Sequence, residues 1–283
     1  MTIILDGKKI LDKTIEKVKN KVVNLSKKPG LAVILVGDDK PSKIYVKNKI
    51  IVSDKIGFFS KKILLPEKTT KEEFFNYLDN LNKDPNIHGI IIQYPLPDHL
   101  LPFTYQINEF INPLKDVDCF NPINVGKMFL AKQNDENIFF PCTAKGVIKI
   151  LKEYKIDIQG KKAVVIGRNN FIGKPIFHML INEDATVTLA HSKTKDLFSL
   201  TKEADILIVA VGKKNLIKKE AVKKGAIVID VGINRDEKKL YGDVDYNDVF
   251  EKVKAITPVP GGIGPMTIVS LMENVLLAYE LQN

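Results

Sequence analysis

Short apolar runs alternate with amphipathic stretches along most of the chain, and this alternation constrains the fold more than any other feature. The runs are bounded by Gly, Pro or charged residues, as strands buried on both faces of a parallel sheet are. They lie at 31–37, 61–66, 88–93, 162–167, 185–190, 204–212 and 226–232. Apolar residues at helical spacing lie at 8–26, 42–56, 70–82, 143–154, 174–182, 194–202, 216–224 and 266–281. We therefore predict an α/β protein with parallel sheets.

A change in composition predicts where the chain divides. Residues 98–141 carry Pro, Asn and Asp without a long apolar run, and the regular alternation then resumes. We predict two α/β domains. The first spans 1–140 and is completed by a C-terminal helix at 263–283. The second spans 141–262 and is a Rossmann-like, parallel-sheet dinucleotide-binding domain. A chain of 283 residues is long enough for two such cores.

Composition argues against several classes of protein. No apolar run approaches the ~18 residues that a membrane span needs, and the first residues do not resemble a secretory signal. The two cysteines, Cys119 and Cys142, cannot make a disulfide framework or a four-ligand zinc site. The four histidines lack metal-ligand spacing. We therefore expect a cytosolic protein with no metal and no membrane partner.

The formal net charge of +9 raises the question of a polyanionic partner. Only Arg168 and Arg235 are arginines, and the lysines are spread over the whole chain without a basic run. Base readout and bidentate phosphate binding favour arginine, so we predict a solvated lysine-rich surface and no nucleic-acid partner. A non-catalytic nucleic-acid-binding or scaffold protein stays an alternative. Steep salt dependence of polynucleotide binding would support it.

A glycine-containing loop follows the strand at 162–167. The segment GRNNFIGKP (167–175) joins this strand to a helical stretch, with Gly167 and Gly173 in the loop, and such a junction binds anions. Its spacing departs from G-x-G-x-x-G, so an ordinary turn between a strand and a helix, with no bound ligand, stays an alternative. Arg168 follows the first glycine, and Ser192 lies where an acidic ribose-binding residue would stand in an NAD site. A cation and a hydroxyl suit a 2′-phosphate, so we predict NADP.

Nine ordered segments resemble one family closely. Together they are similar to the bifunctional methylenetetrahydrofolate dehydrogenase/cyclohydrolase family. The resemblance implies NADP-dependent oxidation of 5,10-methylenetetrahydrofolate to the methenyl form, then hydrolysis to 10-formyltetrahydrofolate. It also implies a homodimer that binds tetrahydrofolate derivatives, polyglutamylated ones included, in an active-site cleft between the two domains. The segments are GDDKPSKIYVKNK (37–49), GIIIQYPLP (89–97), KDVDCFNPINVG (115–126), PCTAKG (141–146), VVIGRNNFIGKP (164–175), ATVTLAHSKT (185–194), DILIVAVGK (205–213), VIDVGIN (228–234) and TPVPGGIGPMT (257–267).

Tyr45 and Lys49 lie four residues apart on a predicted helix, so they share one face. A YxxxK pair also marks short-chain dehydrogenases, but there the glycine loop precedes the pair, and here the order is reversed. The resemblance implies that Lys49 acts as general base toward the attacking water and then returns the proton. It implies that Tyr45 packs on the folate ring. Gln93, at the carboxyl end of a predicted strand, would hold Lys49 or the water.

Asp118 is the fourth predicted catalytic residue. A pterin presents an amino group and a ring N–H side by side, and one carboxylate can accept from both. The resemblance favours Asp118 over Asp116. The family usually has Gly at the next position, so Cys119 would be strained if the turn needed a positive φ. Three further departures from the family pattern are Tyr94, Asn169 and Ala144.

The resemblance and the loop chemistry complete the predicted site. The additional folate-binding residues are Pro260, Gly261 and Gly264. The predicted NADP-binding residues are Thr143, Gly167, Arg168, Asn169, Gly173, Ser192, Gly232 and Ile233. Two further alternatives stay open: a monofunctional dehydrogenase without cyclohydrolase activity, and an unrelated Rossmann oxidoreductase.

Overall fold

The computed structural model describes residues 1–131, 135–236 and 239–283. The chain forms two compact units, which we name by their sheets. The three-stranded unit comprises Lys13–Cys142 and Leu271–Asn283. The six-stranded unit comprises Met1–Asp12 and Thr143–Ser270. Neither unit is one continuous piece of chain.

The strands and helices follow one another in the order below. The strands are β1 (Ile3–Ile4), β2 (Gly30–Val36), β3 (Phe59–Leu65), β4 (Gly89–Ile92), β5 (Lys162–Ile166), β6 (Thr186–Ala190), β7 (Ile206–Val209), β8 (Ile227–Asp230), β9 (Asn234–Asp236), β10 (Lys239–Tyr241) and β11 (Ala255–Ile256). The α-helices are α1 (Gly7–Val22), α2 (Lys40–Ile56), α3 (Lys71–Lys83), α4 (Thr104–Phe110), α5 (Pro122–Leu130), α6 (Cys142–Glu153), α7 (Gly173–Asn182), α8 (Leu197–Glu203), α9 (Tyr246–Val249) and α10 (Ile263–Gln282). Short 3₁₀ turns lie at Leu101–Phe103, Lys219–Ala221 and Phe250–Lys252.

The three-stranded unit contains a parallel sheet in the order β3-β2-β4. Every residue of β2 is buried, because helices cover both faces of a central parallel strand. One core cluster lies between this sheet and α3, with Phe74 and Leu78 fully buried in it. A capping box between Thr70 and Glu73 begins α3 and satisfies two of its unpaired backbone N–H groups.

Helix α2 has clear signals at both ends. The Asp39 side chain accepts from the Ser42 backbone N–H at 2.8 Å, and Pro41 lies in the first turn. Gly57 ends the helix with φ +91°, a left-handed conformation that glycine adopts without strain. These caps fix the position along the chain at which α2 presents its side chains.

The six-stranded unit contains a wholly parallel sheet in the order β1-β11-β8-β7-β5-β6. Strand β5 pairs with β6 on one side and with β7 on the other, so the chain reverses its direction of winding at β5. In open parallel sheets, ligands bind at the carboxyl ends of the strands at such a switch point. The fold therefore places the loop after β5 where a dinucleotide would bind.

The structure differs from the sequence prediction in three places. The stretch 216–224 is not a helix: Ile217 is fully buried and forms a parallel bridge with Val244, which requires extended backbone. Residues 1–12 lie in the six-stranded unit, because β1 pairs with β11 at the open edge of that sheet. Helices α4 and α5 occupy a region where no helix was predicted. No helix in the described ranges is both long and apolar enough to span a bilayer.

Candidate active site

Lys49 and Gln93 meet in the three-stranded unit, as predicted. The Lys49 Nζ donates to Gln93 Oε1 at 3.1 Å, and both side chains are partly buried. Gln93 follows β4, and its backbone N–H donates to the Ile34 carbonyl at 2.8 Å, which extends the ladder by one residue. Its side-chain Nε2 donates to the Tyr94 carbonyl at 2.8 Å. This second bond orients the amide so that its oxygen faces Lys49.

Asp118 lies within electrostatic reach of Lys49. Burial raises the pKa of the Asp118 carboxyl, whereas the Lys49 charge and a hydrogen bond from the Cys142 thiol lower it. Tyr45 lies one helical turn before Lys49 on α2, and its side chain is 37% exposed. The three-stranded unit thus carries all four predicted catalytic residues, and an amine, an amide and a carboxylate lie close together.

Asp116 has a different environment from Asp118. It is 1% exposed and accepts from the backbone N–H groups of Phe120 at 3.0 Å and Asn121 at 2.9 Å. It also accepts from the Asn124 side chain at 2.9 Å. Burial raises the pKa of Asp116 to about 6, opposed by these three donors. Asp116 therefore holds the turn together, which supports the choice of Asp118 for the pterin.

Cys119 adopts the strained conformation that the sequence raised as a question. Its φ is +59°, in the left-handed region, and its side chain is fully buried. Such a conformation costs a non-glycine residue roughly 1–2 kcal/mol. Its Sγ donates to the Phe139 carbonyl at 3.1 Å, and its backbone N–H donates to the Asp116 carbonyl at 3.2 Å. The departure from glycine is thus accommodated by a buried thiol contact.

A hydrogen-bonded chain that the sequence analysis missed joins the Gln93 strand end to the turn of Asp116. The Tyr94 hydroxyl donates to Asn108 Oδ1 at 2.7 Å. The Asn121 side chain donates to the Asn108 carbonyl at 3.3 Å, and its backbone N–H donates to Asp116. Burial raises the pKa of the Tyr94 hydroxyl, so it stays protonated as a donor. The one signal for this chain in the sequence was the unusual tyrosine after Gln93.

The loop after β5 in the six-stranded unit forms a glycine-lined cradle. Gly167 has φ +120°, and a Cβ there would lie 2.2 Å from the Ala210 carbonyl oxygen. A Cβ on Gly173 would lie 1.9 Å from the Gly167 carbonyl oxygen. Both positions therefore exclude any larger residue, and the loop leads directly into the N-terminus of α7. These residues fit a dinucleotide, whose phosphates favour the N–H groups at such a terminus.

The residues predicted to read the 2′-phosphate are exposed. Arg168 follows Gly167, and Ser192 lies in the turn after β6. That turn is ordered by a bond from the His191 backbone N–H to Thr194 Oγ1 at 2.8 Å. Asn169 Oδ1 accepts from a backbone N–H within its own loop at 2.7 Å, so its side chain shapes the loop.

The other predicted residues also lie in the six-stranded unit. Gly232 is buried and Ile233 is 45% exposed, both just beyond β8. The Oγ1 atoms of Thr143 and Thr267 lie 3.4 Å apart. Gly261 has φ +112° and accepts from the Gly7 backbone N–H at 2.9 Å. The remaining two residues, both exposed, are Pro260 and Gly264.

The described part of the chain contains no group of three or more His, Cys, Asp or Glu side chains that could hold a metal ion.

Two family models match the chain. One, described as tetrahydrofolate dehydrogenase/cyclohydrolase, catalytic domain, matches residues 5–118. The other, described as tetrahydrofolate dehydrogenase/cyclohydrolase, NAD(P)-binding domain, matches residues 141–283. The chain belongs to the tetrahydrofolate dehydrogenase/cyclohydrolase family.

Full-length relatives of this dehydrogenase/cyclohydrolase agree. The bifunctional protein FolD of Listeria innocua is 50% identical over 281 residues, covering 98% of this chain and 97% of that protein. The crystal structure of the bifunctional enzyme FolD from Campylobacter jejuni has a TM-score of 0.94 at 46% identity, covering 99% and 100% of the two chains. The Trypanosoma brucei enzyme, complexed with NADP and an inhibitor, has a TM-score of 0.94 at 34% identity, covering 99% and 98%.

These findings confirm the predicted α/β fold class, family and bifunctional enzyme. The NAD(P)-binding domain confirms the predicted nicotinamide cofactor. An unrelated Rossmann oxidoreductase does not account for the catalytic-domain match, and a non-catalytic scaffold accounts for neither match. Relatives that are named bifunctional and cover the whole dehydrogenase/cyclohydrolase chain favour both activities over a dehydrogenase alone.

Proposed function

We propose that the Lys49–Gln93–Asp118 cluster carries the folate chemistry of this enzyme. The protein oxidises 5,10-methylenetetrahydrofolate to the methenyl form and hydrolyses that to 10-formyltetrahydrofolate. The three-stranded unit carries the proposed catalytic residues, and the six-stranded unit binds NADP. The observation that carries the assignment is the 3.1 Å bond from Lys49 Nζ to Gln93 Oε1, with Asp118 coupled electrostatically to the same amine.

Lys49 moves the proton of the hydrolytic step. Its neutral amine takes one proton as the water oxygen bonds to the methenyl carbon, which leaves a hydroxyl on that carbon. The same proton returns to N5 as the bond from that carbon to N5 breaks, and the hydroxyl releases its proton to solvent as the formyl C=O forms. The Gln93 oxygen holds the Lys49 amine in place, because the Gln93 amide is itself fixed by its bond to the Tyr94 carbonyl. Tyr45, one turn before Lys49, packs on the folate ring.

Asp118 orients the pterin. As a carboxylate it accepts from the pterin amino group and from the neighbouring ring N–H. Its partly buried position strengthens both bonds, because they compete less with water. Pro260, Gly261 and Gly264, in the loop before α10 and the first turn of that helix, are also assigned to folate binding.

The residues of the six-stranded unit hold the nicotinamide cofactor. When bound, NADP supplies the acceptor for the hydride that the methylene carbon loses. Gly167, Asn169 and Gly173 cradle its phosphates, and Arg168 and Ser192 bind the 2′-phosphate. The residues assigned to the rest of the cofactor are Thr143, Gly232 and Ile233.

We also propose that the enzyme is a cytosolic homodimer whose substrates include polyglutamylated folates. Among the described strands β3 pairs with β2 alone, and its exposed side chains include Phe59 and Leu64, which supports a dimer formed by pairing at this edge. Cys119 and Cys142 are both buried and are not joined in a disulfide, which fits a reducing compartment. The net charge of +9 favours an anionic polyglutamate tail.

Lys49→Gln tests the assignment. The glutamine amide can still bond to Gln93, but it cannot take a proton from water at neutral pH. We expect hydrolysis of methenyltetrahydrofolate to fall by about 10²-fold or more, while reduction of NADP falls by less. The two rates are measured separately, as the decay of the methenyl absorbance and as the appearance of NADPH.

Lys47→Gln is the matched control, because Lys47 is exposed two residues earlier on the same helix. It should hydrolyse the substrate at the wild-type rate. Hydrolysis retained by Lys49→Gln at the rate of this control would refute the role of Lys49.

A further inference from the structure

Two buried carboxylates lie at the carboxyl end of the six-stranded sheet, and neither has a role in the chemistry described above. Asp230 is the last residue of β8, and Asp243 lies between β10 and α9. Their exposed fractions are 3% and 0%. A buried carboxylate is costly unless donors surround it, so the partners of these two residues indicate what they do.

Asp243 accepts four hydrogen bonds, three from the loop that follows β7 and one from the first residue of β9. Its Oδ2 accepts from the backbone N–H groups of Val211 at 2.7 Å and Gly212 at 3.0 Å. Its Oδ1 accepts from the Lys213 N–H at 2.7 Å and the Asn234 side chain at 2.9 Å. Successive N–H groups of this kind form an anion-binding concavity, and here it holds a carboxylate of the protein itself.

Asp230 in turn fixes Asp243. Its Oδ1 accepts from the backbone N–H groups of Gly232 at 2.9 Å and Asp243 at 3.0 Å, and its Oδ2 accepts from Val244 at 2.8 Å. The two carboxylates thus join three segments: the loop after β7, the loop after β8 and the segment that leads into α9.

Both loops adjoin glycines assigned to the cofactor. A Cβ on Gly232 would lie 2.1 Å from the Asp243 carboxyl carbon, so this carboxylate packs directly on the Gly232 backbone. Asp243 accepts from the N–H of the peptide bond that joins Ala210 to Val211. In a trans peptide the carbonyl points away from the N–H, so the Ala210 oxygen faces the other way, and it occupies the place that a Cβ of Gly167 would take. Asp243 therefore sets the backbone against both glycines.

We infer that Asp243, held by Asp230, is a positioning residue for the oxidation step that sets the backbone of the nicotinamide-cofactor site at Gly167 and Gly232. The inference rests on the proposed assignment of these two glycines to the cofactor. A single carboxylate couples the ends of β7 and β8 with the loop after β5, so a change at Asp243 displaces the cofactor-binding backbone without touching Lys49, Gln93 or Asp118.

Asp243→Asn tests the inference. Asparagine keeps one acceptor oxygen and sets an NH₂ group against two of the four donors, so the loop backbone must shift. We expect the KM for NADP to rise about 10-fold or more, with a smaller change in kcat. Hydrolysis of supplied methenyltetrahydrofolate should stay within about twofold of wild type, because Lys49, Gln93 and Asp118 lie in the other unit.

Asp245→Asn is the matched control, since Asp245 caps α9 two residues later and asparagine caps equally well. It should leave both activities unchanged. If Asp243→Asn does not fold, Asn234→Ala removes one donor to the same carboxylate and should raise the KM for NADP by about 3-fold.

Three outcomes would overturn the inference. The first is an Asp243→Asn protein whose KM for NADP equals that of wild type within error; if that variant does not fold, the second is an Asn234→Ala protein with a wild-type KM for NADP. The third is an Asp243→Asn protein that loses oxidation and hydrolysis equally. The last result would mark a purely structural residue. Failure of the wild-type protein to reduce NADP would refute the proposed function. NADP reduction by the wild-type protein is therefore measured before any variant is made.

Discussion

The two arginines of the chain, Arg168 and Arg235, lie in different surroundings. Arg168 directly follows the glycine that opens the cradle after β5, whereas Arg235 lies in the short hairpin of β9 and β10. Both are exposed, so neither is required by the core. No acidic residue stands at the end of β6, where an NAD site would carry one, and Ser192 lies there instead. The expected 2′-phosphate contacts therefore come from Arg168 and Ser192 together.

Arg168→Ala is expected to raise the KM for NADP by about 10-fold to 100-fold while leaving the KM for NAD within about 3-fold, because a charge-assisted bond to the 2′-phosphate exists only for NADP. Steady-state oxidation with each cofactor measures both values. Arg235→Ala, which removes the other arginine of the chain, serves as the control and should change neither. Equal losses for the two cofactors would mean that Arg168 does not read the 2′-phosphate.

At the scale of elements, the sequence predicted the central strands of both sheets well. Strands β2, β4, β5, β7 and β8 are buried on both faces and gave apolar runs with sharp ends. Strands β1 and β11 have two residues each, too few for any periodicity to be read. The stretch 216–224 had helical spacing, but tertiary pairing of Ile217 with Val244 overrides that preference.

For the candidate site, the sequence predicted the residues that stand in motifs and missed those whose partners are brought together by folding. Lys49, Gln93 and Asp118 were predicted as site residues because each stands in a recognisable motif of the family, and Lys49 and Gln93 also lie on predicted elements. Asp230 and Asp243 were missed because their meaning depends on partners brought together by folding. The only sequence signal was an aspartate that ends an apolar strand, and such a residue has no local hydrogen-bond partner to reveal its role.

The edge strand β3 leads to the prediction about assembly. Only β2 pairs with β3 among the described strands, and Phe59 and Leu64 are 49% and 52% exposed. An uncovered edge with apolar side chains favours pairing with a second copy of the chain. The double variant Phe59→Lys/Leu64→Lys should therefore shift the protein from dimer to monomer, measured by sedimentation equilibrium at micromolar concentration. Tyr105→Lys, which replaces an exposed aromatic residue on α4, should leave the dimer intact.

A wild-type protein that sediments as a monomer would contradict the proposed homodimer. A wild-type dimer that the β3 variant leaves unchanged would place the interface on another surface.

For the whole molecule, the buried carboxylates make stability depend on pH. Burial and the charge of Asp243 raise the pKa of Asp230 from 3.8 to about 7. Between these values the folded state keeps a proton that the unfolded chain releases, so the folded state binds more protons. The contribution of Asp230 to the free energy of unfolding therefore falls as the pH rises through this window, by at most about 1.4 kcal/mol per pH unit.

Asp230→Asn removes this titration. We expect the free energy of unfolding of wild type, minus that of Asp230→Asn, to decrease as the pH rises from about 4 to about 7, and to level off above that. Urea unfolding of both proteins at several pH values gives this difference, from which Asp116 and the other shared groups cancel. A difference that stays constant or increases over this range would contradict the raised pKa.

The division of the chain between its two units has a consequence for synthesis on the ribosome. Residues 1–12 are made before the segment Lys13–Cys142, yet among the described strands β1 pairs with β11 alone, which is made after that segment. The three-stranded unit in turn includes Leu271–Asn283, which is made after the six strands of the other unit. Each unit therefore waits for a segment that is synthesised after most of the other unit, and the nascent chain must keep β1 unpaired in the meantime. Native assembly of this enzyme is in this sense a late event of synthesis, in which neither unit is finished before the other has been made.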